Sequence, residues 1–252
     1  MNVLCIGDVV GLNGLDHLCR ELPALKRRVG ADICIVNGEN SDQCGRGITR
    51  NGAEAIFSHG ADVITTGNHC FHRTKPETFE EQEFLLCPAN YPRLAPGAGR
   101  CELDLGRARM QVINLSGVAF MEPLDNPFVR FDQLYDPGCR FTIVDFHAES
   151  TAEKKAFGYY IDGRASAVFG THTHVPTADA QVLPGGCGYI TDVGMCGPVN
   201  SVIGMESQLA VQKQHLHTPV RFAVAEGPCQ LQGVLFTLDD ATGRCTSATQ
   251  IL

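Results

Sequence analysis

Five stretches of this 252-residue chain run through apolar residues and then stop on a group that can bind a cation. Val3-Leu4-Cys5-Ile6 ends on Gly7-Asp8, and Ile33-Cys34-Ile35-Val36 ends on Asn37-Gly38-Glu39-Asn40. Val63-Ile64-Thr65-Thr66 runs into Gly67-Asn68-His69, and Phe141-Thr142-Ile143-Val144 into Asp145-Phe146-His147. Ala167-Val168-Phe169 precedes Gly170-Thr171-His172-Thr173-His174. A single such ending is a capping aspartate or a core histidine. Five with the same chemistry are explained by strands lying side by side, because ligands of α/β sheets sit beyond the carboxyl ends of the strands.

Helical spacing between the first two runs supports this. Leu15, Leu18, Cys19, Leu22 and Leu25 share one face, Pro23 falls inside the pattern, and Gly30 closes it after a loop over 9–13. Strand, helix, strand is a βαβ crossover with parallel pairing. Further helices are predicted from Thr49 to His59, with His59 as a helix-end residue, and over 76–86, 152–161 and 209–217. A hairpin over 101–115 and closing strands over 220–225, 231–238 and 246–252 follow, while 121–140 is turn-rich with no clear element. That is more strand than one sheet holds comfortably, so two facing sheets with outer helices are expected: an α/β/β/α sandwich. No linker or change of composition divides residues 1–252, which predicts one domain.

The hydrophobic fraction of 44% suits a sizeable core, and no apolar run approaches the roughly 20 residues that span a bilayer. The first strand follows Met1 almost directly, leaving no room for a signal peptide and implying a cytoplasmic location. Twelve cysteines without a CxxC pair, two of them (Cys5 and Cys34) within predicted strands, read as reduced thiols. Cys70, beside the candidate site, is the thiol expected to oxidise. A formal net charge of −8 argues against an extended nucleic-acid surface. It leaves room for a small phosphorylated ligand, since bound cations would reverse the field locally.

Asp8, Glu39, Asn40, Asn68, His147, His172 and His174 offer mixed oxygen and nitrogen donors, too many for one metal and suited to two sharing a carboxylate. Without thiolate the set fits iron, manganese or zinc. Extended backbone would aim His172 and His174 to the same side. His69 follows Asn68 directly, so its side chain diverges and is free to donate a proton.

Gly7-Asp8, Gly67-Asn68-His69, the isolated His147 and the block from Gly170 to His174 resemble, in order and spacing, the calcineurin-like metallophosphoesterase superfamily. Gly38-Glu39-Asn40, the run from Thr191 to Met195 and Ser201-Val202-Ile203-Gly204 resemble its YmdB-like branch, and the likeness covers essentially the whole chain. The resemblance implies an α/β/β/α sandwich, two divalent or trivalent metal ions and phosphodiesterase activity, with 2′,3′-cyclic nucleotides as a substrate class. It implies Asp8, Glu39, Asn40 and His174 on one metal and Glu39, Asn68, His147 and His172 on the other. A metal-bridging hydroxide would attack phosphorus while His69 protonates the leaving oxygen, and a homo-oligomer is implied as well.

Two departures stand out. The superfamily's usual histidine is missing from Asp8-Val9-Val10, so Asn40 is expected to replace it, tilting preference from zinc toward iron or manganese. Phe71-His72 stands where a Trp and an acidic residue are common, placing His72 in an exposed loop or at the substrate rim. Asp192 is a candidate partner for a ligand histidine. His17, His215 and His217 read as surface residues. A phosphomonoesterase using the same metals, or a regulatory RNA- or nucleotide-binding scaffold with vestigial hydrolysis, are the competing functions.

Overall fold

The computed structural model describes residues 1–252. The amino-terminal unit is β1 (Asn2–Ile6), β2 (Asp8–Val9), α1 (Gly11–Val29), β3 (Ile33–Asn37), α2 (Arg50–Ser58), β4 (Val63–Thr65) and α3 (Pro76–Glu81). A second unit follows: β5 (Arg100–Asp104), β6 (Arg109–Ser116), α4 (Pro127–Leu134), β7 (Phe141–His147), α5 (Thr151–Ile161), β8 (Ala167–Thr171), β9 (Gln181–Val182) and β10 (Gly188–Ile190). The chain ends with β11 (Met195–Pro198), α6 (Ser207–Leu216), β12 (Cys229–Leu231), β13 (Gly233–Leu238) and β14 (Cys245–Ile251).

Two mixed sheets carry the structure. One has the order β14-β13-β1-β3-β4, with β1, β3 and β4 parallel. The other has the order β5-β6-β7-β8-β10-β9, with parallel β6, β7, β8 and β10 between antiparallel edges. A small third sheet, β12-β11-β2, ties Asp8 to Met195.

The burial pattern explains the layers. β1, β3 and β4 are apolar on both faces, as strands covered on both sides must be. Val3, Cys5, Ile33 and Ile35 face Val112, Ile143, Phe169 and Ile190 across the sheet interface. Leu4, Ile6 and Val36 on the other face meet Leu18, Leu22 and Leu25 of α1 and Ile56 of α2. Val144, Phe146 and Val168 of the second sheet pack on Phe131 of α4 and Phe157 and Ile161 of α5. Helix, sheet, sheet, helix is the four-layer sandwich that the strand count predicted.

Several elements differ from expectation. α1 starts at Gly11, not at 15, because Gly11 N donates to Asn40 O (2.8 Å) and draws the expected loop into the first turn. It runs through Pro23, which forgoes one helix hydrogen bond while Leu22 and Leu25 hold the buried face. The acidic helix stops at Glu81 because Leu85 and Leu86 leave it to bridge Ile64 at the sheet edge. Residues 127–134 form a helix the turn-rich composition concealed, capped by Asn126 and opened by Pro127. Residues 220–225 are not a strand: a single bridge from Val224 to Met205 is all the pairing they make. All twelve cysteines are free.

Candidate metal centre at the sheet edges

The two sheets bring their strand ends to one place. The amino-terminal sheet contributes oxygen donors: Asp8 after β1, Glu39 and Asn40 after β3, and Asn68 after β4. The second sheet contributes imidazoles, His147 from the end of β7 and His172 and His174 from just beyond β8. Glu39 Oε2 lies 3.0 Å from His147 Nε2, which is also 2.9 Å from Asn68 Oδ1 and 3.1 Å from His172 Nδ1. Asp8 Oδ1 stands 3.7 Å from both His147 Nδ1 and His174 Nε2, and Asn40 Nδ2 is 3.1 Å from His174 Nε2. All seven donors anticipated from sequence therefore belong to one connected cluster.

His172 and His174 converge for a different reason from the one expected. β8 ends at Thr171, and the two histidines adopt φ of 101° and 62°, a region side-chain-bearing residues rarely visit. Turn geometry, not strand alternation, aims them inward. The turn is held from three sides: Asp8 Oδ2 accepts His172 N (3.0 Å), Asp192 Oδ2 accepts Thr173 N (3.1 Å), and Lys154 Nζ donates to Thr171 O (2.7 Å).

Each outer ring nitrogen sits against an oxygen. His147 Nδ1 is 2.9 Å from Thr171 Oγ1, whose own proton goes to Asp145 Oδ1 at 2.7 Å. His174 Nδ1 lies 2.9 Å from Ile203 O, and His172 Nε2 lies 3.1 Å from Glu149 Oε2. With those nitrogens donating, the lone pairs of His147 Nε2 and His172 Nδ1 point inward, and that of His174 Nε2 faces the Asn40 amide. Two such lone pairs 3.1 Å apart repel unless something positive lies between them.

The carboxylates make the same demand. Asp8 Oδ1 and Glu39 Oε2 are fully buried with no hydrogen-bond partner. Burial pushes Asp8 up to about 6 and Glu39 up to about 8, and raises Asp145 to about 7 against its hydroxyl and amide donors. Burial acts oppositely on the imidazoles, lowering His147 well below its usual value and His172 to about 4. Uncompensated carboxylate oxygens facing inward lone pairs fit a cation, and the ligating atoms of Asp8, Glu39 and His147 lie within 4.8 Å of one another.

His69 stands apart from the inner ring set. Its Nδ1 is 3.0 Å from Asn40 Oδ1 and 3.2 Å from Glu39 Oε1, which also accepts its backbone N–H. Burial, then the charges of Arg46 and His174, lowers its pKa to about 4. The imidazole borders a cavity of about 810 Å³ that also reaches Asn40, His172 and His174. His72 lines the same cavity, exposed, with its ring 5.0 Å from that of His69.

Two readings need correction. Asp192 bonds no histidine: it accepts from Lys154 Nζ at 2.7 Å and from the backbone N–H groups of Thr173 and Gly194, so it holds the turn that carries the histidines. Cys70 is fully buried and its thiol is pushed up strongly by that burial, so it is poorly placed for oxidation. Sequence reasoning also missed Lys154, Thr171 and Glu149. Lys154 left a signal, since it shares the buried face of α5 with Phe157, Gly158 and Ile161, where a lysine needs a partner.

A four-layer sandwich with this cluster at its strand ends is of the metallophosphoesterase-like class. The chain belongs to the YmdB-like protein family, whose model matches residues 4–251. It is 43% identical to a 2′,3′-cyclic-nucleotide 2′-phosphodiesterase of Bacillus subtilis, covering 100% of this chain and 97% of that protein. Among solved structures it matches a hypothetical protein from Thermus thermophilus at TM-score 0.92 and 37% identity, covering 100% and 98% of the two chains. A novel phosphatase from Mycoplasma pneumoniae matches at TM-score 0.93 and 34% identity, covering 100% and 92%. No helix is long and apolar enough to cross a membrane.

Proposed function

We propose that the chain, a phosphoric ester hydrolase by family, cleaves small phosphodiesters at a dinuclear metal centre, with 2′,3′-cyclic nucleotides as the leading substrate class. The observation that carries this is the pair of buried, unpartnered oxygens of Asp8 and Glu39 beside the inward nitrogens of His147 and His172, next to an open cavity. Asp8, Glu39, Asn40 and His174 would hold one ion, and Glu39, Asn68, His147 and His172 the other. Iron or manganese suits a set richer in oxygen than a zinc site, as does the absence of thiolate. Bound there, the ions supply an activated water and neutralise charge on the phosphoryl group.

The chain's own residues do the rest. Thr171 and Ile203 keep His147 and His174 in the tautomer that leaves Nε2 free, and Glu149 does so for Nδ1 of His172. His69 has the place of the proton donor to the leaving oxygen. Its low pKa in the free protein opposes that work, and an anionic phosphate beside it acts in the opposite direction. Asn40 and Glu39 orient the ring throughout.

The 2′-phosphodiesterase name of the Bacillus relative favours a diester over a monoester. A test is a parallel assay of 2′,3′-cyclic nucleotides, linear diesters and monoesters with protein loaded with manganese or iron. His69→Ala should lower turnover by about 10²–10⁴-fold while metal content, measured by elemental analysis, stays close to wild type. Loss of metal in that variant overturns the assignment of His69, and monoesters outpacing diesters overturns the substrate class.

A further inference from the structure

We propose that the mouth of the cavity is a subsite for further phosphates of the substrate, so that the preferred substrate is a short oligoribonucleotide carrying the reacting phosphodiester at its end. This rests on the phosphodiesterase reading and extends it outward from the donor cluster.

The observation is a concentration of unpaired cations in an acidic chain. Arg46, Arg73 and Arg221 all line the cavity that the donor cluster opens into. All three are exposed, and none makes an ion pair. Arg50 pairs with Glu54 and Glu81, and Arg164 with Asp132; what sets Arg46, Arg73 and Arg221 apart is that all three line one cavity. The one carboxylate lining the cavity, Glu149, is already engaged by His172. A chain of net charge −8 thus presents free guanidinium groups around the approach to its candidate centre.

Their placement is ordered. Arg46 lines the cavity together with His69 and His72. Arg73, directly after His72 in the chain, lines the same cavity. The two loops that bear them are locked together: Thr74 Oγ1 accepts Ile48 N at 3.2 Å and donates to Ile48 O at 2.8 Å, and Gly47 packs where any side chain would strike His72 O. Guanidinium groups on a fixed base, outside ion-pair distance of any carboxylate, match phosphate oxygens in bidentate geometry.

Apolar side chains share the lining: Val202, Ile203, Met205, Val220 and Phe222, the last two on either side of Arg221 in the chain, with Phe222 37% exposed. Guanidinium groups beside apolar side chains suit a strand whose phosphates meet the cations while its bases lie on the apolar surface. The volume of about 810 Å³ is near the top of the roughly 300–1,000 Å³ range for single small molecules. A mononucleotide cyclic phosphate brings one phosphate, which the donor cluster takes, and leaves the mouth arginines without a partner. Two or three nucleotides would bring further phosphates for these guanidinium groups to meet.

The test compares a 2′,3′-cyclic mononucleotide with a trinucleotide ending in a 2′,3′-cyclic phosphate, on the metal-loaded wild type and on Arg46→Ala/Arg73→Ala/Arg221→Ala. A 5′-phosphorylated cyclic mononucleotide and a cyclic dinucleotide are further arms. In parallel, a fluorescent trinucleotide 3′-phosphate is titrated by anisotropy into metal-stripped protein between about 50 and about 200 mM salt. The expected result is a kcat/KM for the trinucleotide about tenfold or more above the mononucleotide, carried by KM, and collapse of that ratio in the triple variant. The slope of log affinity against log salt should weaken by about 0.7 for each phosphate that the variant no longer neutralises. A wild-type ratio near one, a ratio untouched by the triple substitution, or salt-independent binding overturns the proposal. So does equal preference for the 5′-phosphorylated mononucleotide or the cyclic dinucleotide. Failure of the wild type on every diester sinks the phosphodiesterase reading instead, while the titration still decides whether the mouth takes phosphates. Because the three side chains are exposed, the variant should melt with the wild type; Arg73→Glu alone should weaken trinucleotide binding further than Arg73→Ala.

Discussion

The two sheets supply unlike halves of one site. The amino-terminal sheet delivers Asp8, Glu39, Asn40 and Asn68, and one oxygen of each carboxylate, Asp8 Oδ1 and Glu39 Oε2, has no donor. The second sheet delivers His147, His172 and His174, each steadied on its outer nitrogen by Thr171, Glu149 or Ile203. The oxygen half is buried and electrostatically unsatisfied; the nitrogen half is braced by hydrogen bonds and turned inward. Neither half would hold a cation well alone. The difference shows where the free energy sits: the imidazole half is preorganised through neighbours, whereas the carboxylate half waits for charge.

The strongest way to break the comparison is at its seam. A methyl group on Gly67 would overlap both Glu39 Oε2 and the His147 ring. Gly67→Ala should abolish metal binding and turnover and cost about 1–3 kcal/mol or more of stability, read by elemental analysis and thermal melts. Lys154 and Asp192 form a buried ion pair beneath the histidine turn. Lys154→Met should destabilise the protein by about 3–5 kcal/mol, because it strands a buried carboxylate. Lys154→Met/Asp192→Leu should recover part of that loss in denaturant titrations without restoring activity.

Thr171→Val removes the hydroxyl between Asp145 and His147 and should lower metal affinity or turnover by about 10–100-fold, with far less effect on the melt than Lys154→Met. A valine variant as active as wild type would remove Thr171 from the bracing network.

The pH dependence of metal-free protein sharpens the contrast. Asp8, Asp145 and Glu39, raised to about 6, 7 and 8, bind protons in the folded state that the unfolded chain has released. Their contribution is whole below the ordinary carboxylate range and is lost as pH rises through those values. The lowered histidines act oppositely, but only below their ordinary 6.5. Metal-free protein should therefore lose stability between about pH 6.5 and 8, and saturating manganese should abolish that slope. The smallest effect expected is that of His72→Ala, an exposed ring at the rim, which should shift KM and leave metal content and melting unchanged.

Much of the candidate site was visible in the sequence because strand periodicity is local. An apolar run ending on Gly-Asp, Gly-Glu-Asn or Gly-Asn-His announces both a strand and what lies at its tip. The bracing groups were invisible for the opposite reason. Thr171 matters only because β7 lies beside β8, and Glu149 only because the turn swings His172 toward it. The helix over 127–134 was hidden by turn-forming residues that serve as its cap, and 220–225, alternating like a strand, pairs only through one bridge from Val224 to Met205.

Sequence alone determined the number and order of the strands at the site, their parallel sense and the residue types at their ends, since these follow from apolar periodicity and chain-local geometry. Only the tertiary structure decided which nitrogen of each histidine faces inward, which carboxylate oxygens go without a donor, and that free arginines gather at the cavity mouth. Those properties depend on distances between residues far apart in the chain, and only the packing of the two sheets sets such distances.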